Sequence, residues 1–114
     1  MIIMTTENLT KVIFRRHKTS EEIMAIFPQL PGSPATNSCI CYAHIGQHGT
    51  CFVNLIVKAS VPLSEDEYAP LKKELEAIGY KLNIMKRITM KDHVIRHKEN
   101  KAINEAVEAI HADA

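Results

Sequence analysis

Apolar positions recur with two different periods along this chain, and the periods separate strand-like from helix-like stretches. Residues 11–17 (K-V-I-F-R-R-H) alternate, with Val12 and Phe14 on one face and Ile13 and Arg15 on the other, which predicts a strand. Residues 23–27 (I-M-A-I-F) form a short apolar run suited to a buried strand, although so short a run has no diagnostic period and leaves helix open. The polar residues 19–22 between them suit a turn, so the pair predicts a β-hairpin. Residues 28–37 carry three of the five prolines and read as irregular chain, because proline lacks the amide hydrogen that a ladder needs. Residues 38–45 predict a further strand. Alternation places Cys39, Cys41, Ala43 and Ile45 on one face, and Ile40, Tyr42 and His44 on the other. Residues 46–49 (G-Q-H-G) read as a four-residue turn. Residues 51–58 return as a strand, with a short helix as the alternative. A turn closing between Ile45 and Thr50 sets His44 opposite Cys51, with Cβ atoms ~5 Å apart.

The second half carries the helical period. Tyr68, Leu71, Leu75 and Ile78 fall at i, i+3, i+7 and i+10, one apolar stripe. Ser64 followed three residues on by Glu67 is a capping box, and three consecutive acids suit the positive end of the helix dipole. Gly79 supplies a left-handed C-terminal stop. Pro70 lies past the first turn and is expected to kink or shorten the helix start. Residues 80–88 alternate again, with Tyr80, Leu82, Ile84 and Ile88 facing one way, which predicts a half-buried strand. In residues 89–114, Ile95, Ile103, Ala106, Val107 and Ile110 form an intermittent helical stripe broken by the polar residues 98–101. The expected fold is therefore α+β: a flexible end over residues 1–9, a domain over 10–88 and a helical extension over 89–114. The domain would hold three to four mostly antiparallel strands with one packed helix. The extension offers a surface for a homo-oligomer.

Composition narrows this only a little. A chain of 114 residues fits one domain of common size. Such a length buries enough surface to fold without disulfides or metals. Its 14 basic and 13 acidic residues leave a net charge of +1, which argues against a binder driven by overall charge but leaves room for a local patch. Three cysteines cannot complete a disulfide framework within one chain. The apolar residues 1–4 are too short for a signal peptide, and no run approaches the ~20 apolar residues of a membrane span. A cytoplasmic protein with no membrane partner is the expectation.

Candidate chemistry gathers in residues 38–51 (S-C-I-C-Y-A-H-I-G-Q-H-G-T-C), which hold all three cysteines and two of the six histidines. Alternation turns Cys39 and Cys41 away from His44, so a five-ligand zinc cluster is geometrically poor, whereas His44, His48 and Cys51 could converge on a metal. The same three residues are the catalytic candidates. Imidazoles that titrate near ~6.5 can serve as acid and base, and a cysteine beside one can become a nucleophile. No third, orienting group completes the set. A binding or structural role for the H-I-G-Q-H-G turn at residues 44–49 is the competing reading, and it requires no cofactor; zinc is the one candidate if there is one. His93 and His97 share a helix face at i, i+4 but have no further ligand nearby in sequence. Two basic clusters stand out, residues 15–18 and the set Lys91, Arg96, His97, Lys98 and Lys101. Each reads either as a solvated face or, through Arg15, Arg16, Lys86, Arg87 and Lys91, as a nucleic-acid contact.

Four stretches together resemble one family. They are V-I-F-R-R at residues 12–16, A-I-F-P at 25–28, Y-A-H-I-G-Q-H-G at 42–49 and E-Y-A-P-L-K-K-E-L-E-A-I-G-Y-K-L at 67–82. The family consists of small uncharacterised proteins of bacteriophages, plasmids and other mobile elements. The similarity covers about residues 11–88, and Pro70 departs from it. The resemblance implies an accessory protein that works by binding, inhibiting or modulating a host protein or nucleic-acid machine in the manner of a counter-defence factor, and it directs attention to Tyr42, His44, Gln47 and His48 as the binding residues. A small histidine- or metal-dependent hydrolase built on His44, His48 and Cys51 is the alternative, and a nucleic-acid-binding protein the second alternative.

Overall fold

The computed structural model describes residues 9–33, 37–43 and 47–112. Among these, the chain forms six strands and three helices in an α+β arrangement. The elements in order are β1 (Thr10–His17), β2 (Ile23–Pro31), β3 (Ser38–Ala43), β4 (Gln47–Phe52), α1 (Val53–Lys58), β5 (Ser60–Pro62), α2 (Glu65–Ala77), β6 (Leu82–Ile84) and α3 (Met90–Ala112). The sheet runs β4-β3-β2-β1-β5, with β6 also on β1. It has more strands than the sequence pattern promised. Every pairing is antiparallel except β6 on β1, which is parallel.

Strand alternation explains how the sheet is covered on both sides. Val12, Phe14, Ala25, Phe27 and Tyr42 point to one face, where they pack with Leu63 and with Leu71 and Leu75 of α2. Phe14 stacks on Tyr68 and Phe27 on Tyr80, with centroids 4.4 and 5.0 Å apart. Met24, Ile26 and Cys39 point to the other face and pack with Val53 and Ile56 of α1. Burying Val12, Ala25, Ile26, Phe27 and Leu75 completely supplies the main hydrophobic drive, at roughly 25 cal/mol per Å² of apolar surface.

Helix α2 begins directly after Ser64, as the capping box requires: Glu67 Oε1 accepts from both the Ser64 amide and the Ser64 hydroxyl at 3.0 Å. Pro70 does not shorten the helix start as expected, because the box already fixes the first turn and the proline lies exposed. Gly79 ends the helix at φ 112°, a conformation open to glycine. Ile78, the last position of the expected stripe, is instead 54% exposed at the C-cap. Ser64→Ala is expected to destabilise the protein by about 0.5–2 kcal/mol, measured by urea unfolding.

Three other expectations are corrected. Residues 28–31 are not loop. They extend β2 across an irregularity between the Phe27↔Ile40 and Pro31↔Cys39 pairs, where prolines interrupt no regular ladder. Gly32 follows at a close approach to the carbonyl of Cys39, which leaves no room for a Cβ. The strand expected over residues 80–88 is only Leu82–Ile84, because β5 occupies the rest of the same edge of β1. Tyr80, Leu82 and Ile84 nonetheless pack on the α2-side core, as alternation predicted. Finally, residues 47–49 are strand rather than turn, and the β3–β4 register runs from Ala43↔Gln47 to Ser38↔Phe52. Cys51 therefore faces Cys39. Residues 53–58 take the helical alternative.

The first half of α3 docks on the sheet by a polar stripe. Asp92, Arg96 and Asn100 are the buried positions, at i, i+4 and i+8. Lys11 Nζ donates to Asp92 Oδ2 at 2.5 Å, and Gln29 Nε2 donates to Asp92 Oδ1 at 2.9 Å. Arg96 Nη1 donates to the Pro28 carbonyl at 2.7 Å. Asp92 also caps the helix by accepting from the Thr89 amide at 2.8 Å. The solvated reading of Arg96 is thus corrected, since it is 0% exposed. Beyond Asn100, the side chains of residues 101–110 are all exposed, including Ile103, Val107 and Ile110. No helix among the described residues is long and apolar enough to cross a membrane.

Candidate functional site

The motif around residues 42–49 proves to be divided between the two faces of the sheet. Tyr42 and His48 are direct cross-strand partners, with rings edge to face at 4.7 Å. His48 Nε2 and Tyr80 Oη form a hydrogen bond at 2.9 Å, and Tyr42 Oη donates to the Glu74 carboxylate of α2. These contacts tie β3 and β4 to the α2 side. Cys51 lies on the opposite face, packed against the Met24–Ile26–Val53 cluster. His48 and Cys51 are therefore separated by the sheet and cannot act on one ligand or one metal, which corrects the convergence expected of them. Their separation follows from their odd spacing along one strand. His44 lies outside the described residues, as does the Gln47 side chain. Among the described residues, no three His, Cys, Asp or Glu side chains are grouped to hold a metal ion.

The basic residues assemble differently. Alternation along β1 splits Arg15 from Arg16. Arg16 turns to the α2 face and pairs with Glu67 at 2.6 Å across exposed surface. His17 Nδ1 accepts from the Thr19 and Ser20 amides and so shapes the β1–β2 turn. Arg15 turns to the other face and lines a cleft of about 470 Å³ between α1 and the β6–α3 connection. Asn54 and Lys58 of α1, Lys86 and Arg87 of the connection, and His93 of α3 line the same cleft. Ile13, Val53, Val57 and Ile88 supply its apolar lining, and among the described residues no carboxylate lines it.

Two of these groups are held in place. Arg15 Nε donates to Ser60 Oγ at 2.6 Å, and Nη2 donates to the carbonyls of Ser60 at 2.9 Å and Val57 at 3.2 Å. The guanidinium thus closes the C-terminal end of α1, while Nη1 makes no hydrogen bond among the described residues. Partial burial lowers the Arg15 pKa, but a guanidinium keeps its charge throughout the physiological range. Arg96 Nη2 lies 2.5 Å from His93 Nδ1. A guanidinium can only donate, so Nδ1 accepts and the ring proton of neutral His93 sits on Nε2. Burial first, and then the Arg96 charge, lowers the His93 pKa. Lys58, Lys86 and Arg87 are exposed at the rim, free to reorient onto a ligand.

The structure therefore unites Arg15, Lys86 and Arg87, three of the five residues expected to form a nucleic-acid contact. It excludes Arg16, and Lys91 is not among the lining residues. Lys58 joins the set without a sequence signal, and His93 joins it apart from His97, with which the sequence paired it, because they come from elements far apart in the chain that only the fold brings together. Chemically, the cleft offers charged and neutral donors and no charged acceptor, which suits an anion bearing several oxygens. No family model, curated protein or solved structure matches the chain.

Proposed function

We propose that this protein acts by binding, and that its ligand is the phosphate backbone of a nucleic-acid duplex held in the cleft of Arg15, Lys58, Lys86 and Arg87. One observation carries the reading. In a chain with 14 basic and 13 acidic residues, four cations from three separate segments share one cleft that no acid among the described residues lines. Arg15 is fixed by its bonds to Ser60 and Val57, so its charge is presented without further ordering cost. Duplex is favoured over single strand because, among the described residues, no Phe, Tyr or Trp lines the cleft to stack an unpaired base. Contacts of this kind position a protein on the backbone and carry no sequence information, so recognition is sequence-independent. The resemblance to mobile-element proteins adds a setting in which a small accessory protein occupies nucleic acid and thereby modulates a host machine.

The test is fluorescence anisotropy with labelled duplex and single-stranded oligonucleotides across a salt series. Three or four phosphate contacts predict that log K falls linearly with log salt, at a slope of about −3 to −4 for duplex. Duplex should bind at least as tightly as single strand of equal length. Salt-insensitive binding, or no duplex binding by folded protein at low salt, overturns the proposal and leaves a protein partner as the better reading.

A further inference from the structure

The geometry points to a modification site on the same face of the sheet: a reversible disulfide between Cys39 and Cys51, formed by exchange with a low-molecular-weight disulfide such as oxidised glutathione. The two residues are direct partners across β3 and β4, and their Sγ atoms lie 3.6 Å apart. Directly opposed residues of an antiparallel pair have Cα atoms ~4.5–5.5 Å apart, within the ~4.4–6.8 Å that disulfides span. Closing the bond therefore requires side-chain rotation and no backbone movement. All three cysteines are free. Cys41 lies on the same face and its thiol also hydrogen-bonds with that of Cys51, but in the register it is opposite Gly49 and so meets Cys51 only diagonally, where Cα atoms are ~7–8 Å apart, beyond the span of a disulfide.

Access and order follow from position. Cys39 is 0% exposed, whereas Cys51 is half-buried on β4, the outer strand of the sheet. In the first step the Cys51 thiol loses its proton to solvent, and its thiolate attacks one sulfur of oxidised glutathione. The glutathione S–S bond breaks, one glutathione thiolate leaves and a Cys51–glutathione disulfide forms. In the second step the Cys39 thiolate, its proton likewise lost to solvent, attacks the Cys51 sulfur and expels the second glutathione. The two cysteines together lose two protons and two electrons, and oxidised glutathione is reduced to two thiols. The hydrogen bond with Cys39, together with burial, outweighs the opposing hydrogen bond with Cys41 and pushes the Cys51 pKa up to about 12, while the same bond to Cys51 lowers the pKa of Cys39. The entry step is consequently slow at neutral pH, and the closing attack rests on the 3.6 Å approach of the two sulfurs. The bond would fix β4 two residues before Val53, where α1 begins.

The test uses the intact wild-type chain, folded, incubated with oxidised glutathione at about pH 8.5 to supply thiolate. Free thiols are then alkylated in denaturant, and the protein is analysed by intact mass and peptide mapping. The expected product has lost two hydrogens, carries one alkyl group on Cys41 and yields a linked Cys39–Cys51 peptide that dithiothreitol separates. Cys41→Ser should form the same link. Three alkylated cysteines, glutathione retained on Cys51 without closure, or a Cys41–Cys51 link in the wild type would each overturn the inference. None of these readouts depends on whether the cleft binds nucleic acid.

Discussion

Replacing Asp92 with alanine is expected to cost about 3–5 kcal/mol of stability, the range for breaking a buried ion pair from one side. Asp92 is the point at which α3, β1 and β2 are joined. Its carboxylate accepts from Lys11, Gln29 and the Thr89 amide, and the Lys11 and Asp92 side chains are only 9% and 2% exposed. Alanine leaves the Lys11 ammonium buried without its counter-charge and strips the cap from α3. In urea, with a slope of about 1–3 kcal/mol per molar, the midpoint should fall by at least one molar. Replacing both partners, Lys11→Met with Asp92→Leu, should recover most of that loss, because the cost lies in the stranded charge rather than in the pair. The pH dependence follows from the same site. Burial alone would raise the Asp92 pKa, but the bonds from Lys11, Thr89 and Gln29 outweigh it and hold the carboxyl below its ordinary value. A depressed carboxyl contributes stability that is present above its unfolded pKa of about 3.9 and lost as pH falls through the folded value. Wild-type protein should therefore lose stability below about pH 4, and Asp92→Asn should lose less over that interval. An Asp92→Ala variant within 1 kcal/mol of wild type would refute the anchoring role.

That anchor also shows where sequence reasoning reached its limit. Alternation in β1 and the capping box of α2 are local patterns with local causes, and they were legible. The docking face of α3 was not, because Asp92, Arg96 and Asn100 at helical spacing look the same as a solvated stripe. The sheet partners of Asp92 and Arg96 are Lys11, Gln29 and the Pro28 carbonyl, which lie more than sixty residues away in the chain. The prolines of residues 28–31 likewise argued for loop, and only the irregular pairing of β2 with β3 makes them strand. For the site, charge type was legible and side was not. Arg15 and Arg16 are neighbours in sequence that face opposite ways, and the β3–β4 register, shifted from the expected one, moved Cys51 from His44 to Cys39. A register slip of an odd number of residues reverses which faces meet, so small errors in turn position become large errors in site composition.

Reversing both rim charges of the connection, Lys86→Glu with Arg87→Glu, should weaken duplex binding by about 100-fold or more near 0.1 M salt, because each lost phosphate contact removes roughly one unit from the salt slope. Both side chains are exposed and make no hydrogen bond or ion pair among the described residues, so stability should stay within about 0.5 kcal/mol of wild type. The matched control is Lys72→Glu with Lys73→Glu on α2, which covers the opposite face of the sheet. Each double variant shifts the +1 net charge by the same four units, so bulk charge cannot distinguish them. Loss confined to the Lys86 and Arg87 variant locates binding in the cleft. Equal loss in both would mean that overall charge governs the association, and the cleft would have no claim to be the site. Arg15 is the less clean position to probe, since its guanidinium also holds Ser60 and the end of α1. The rim residues separate recognition from folding because only the fixed arginine beneath them serves both.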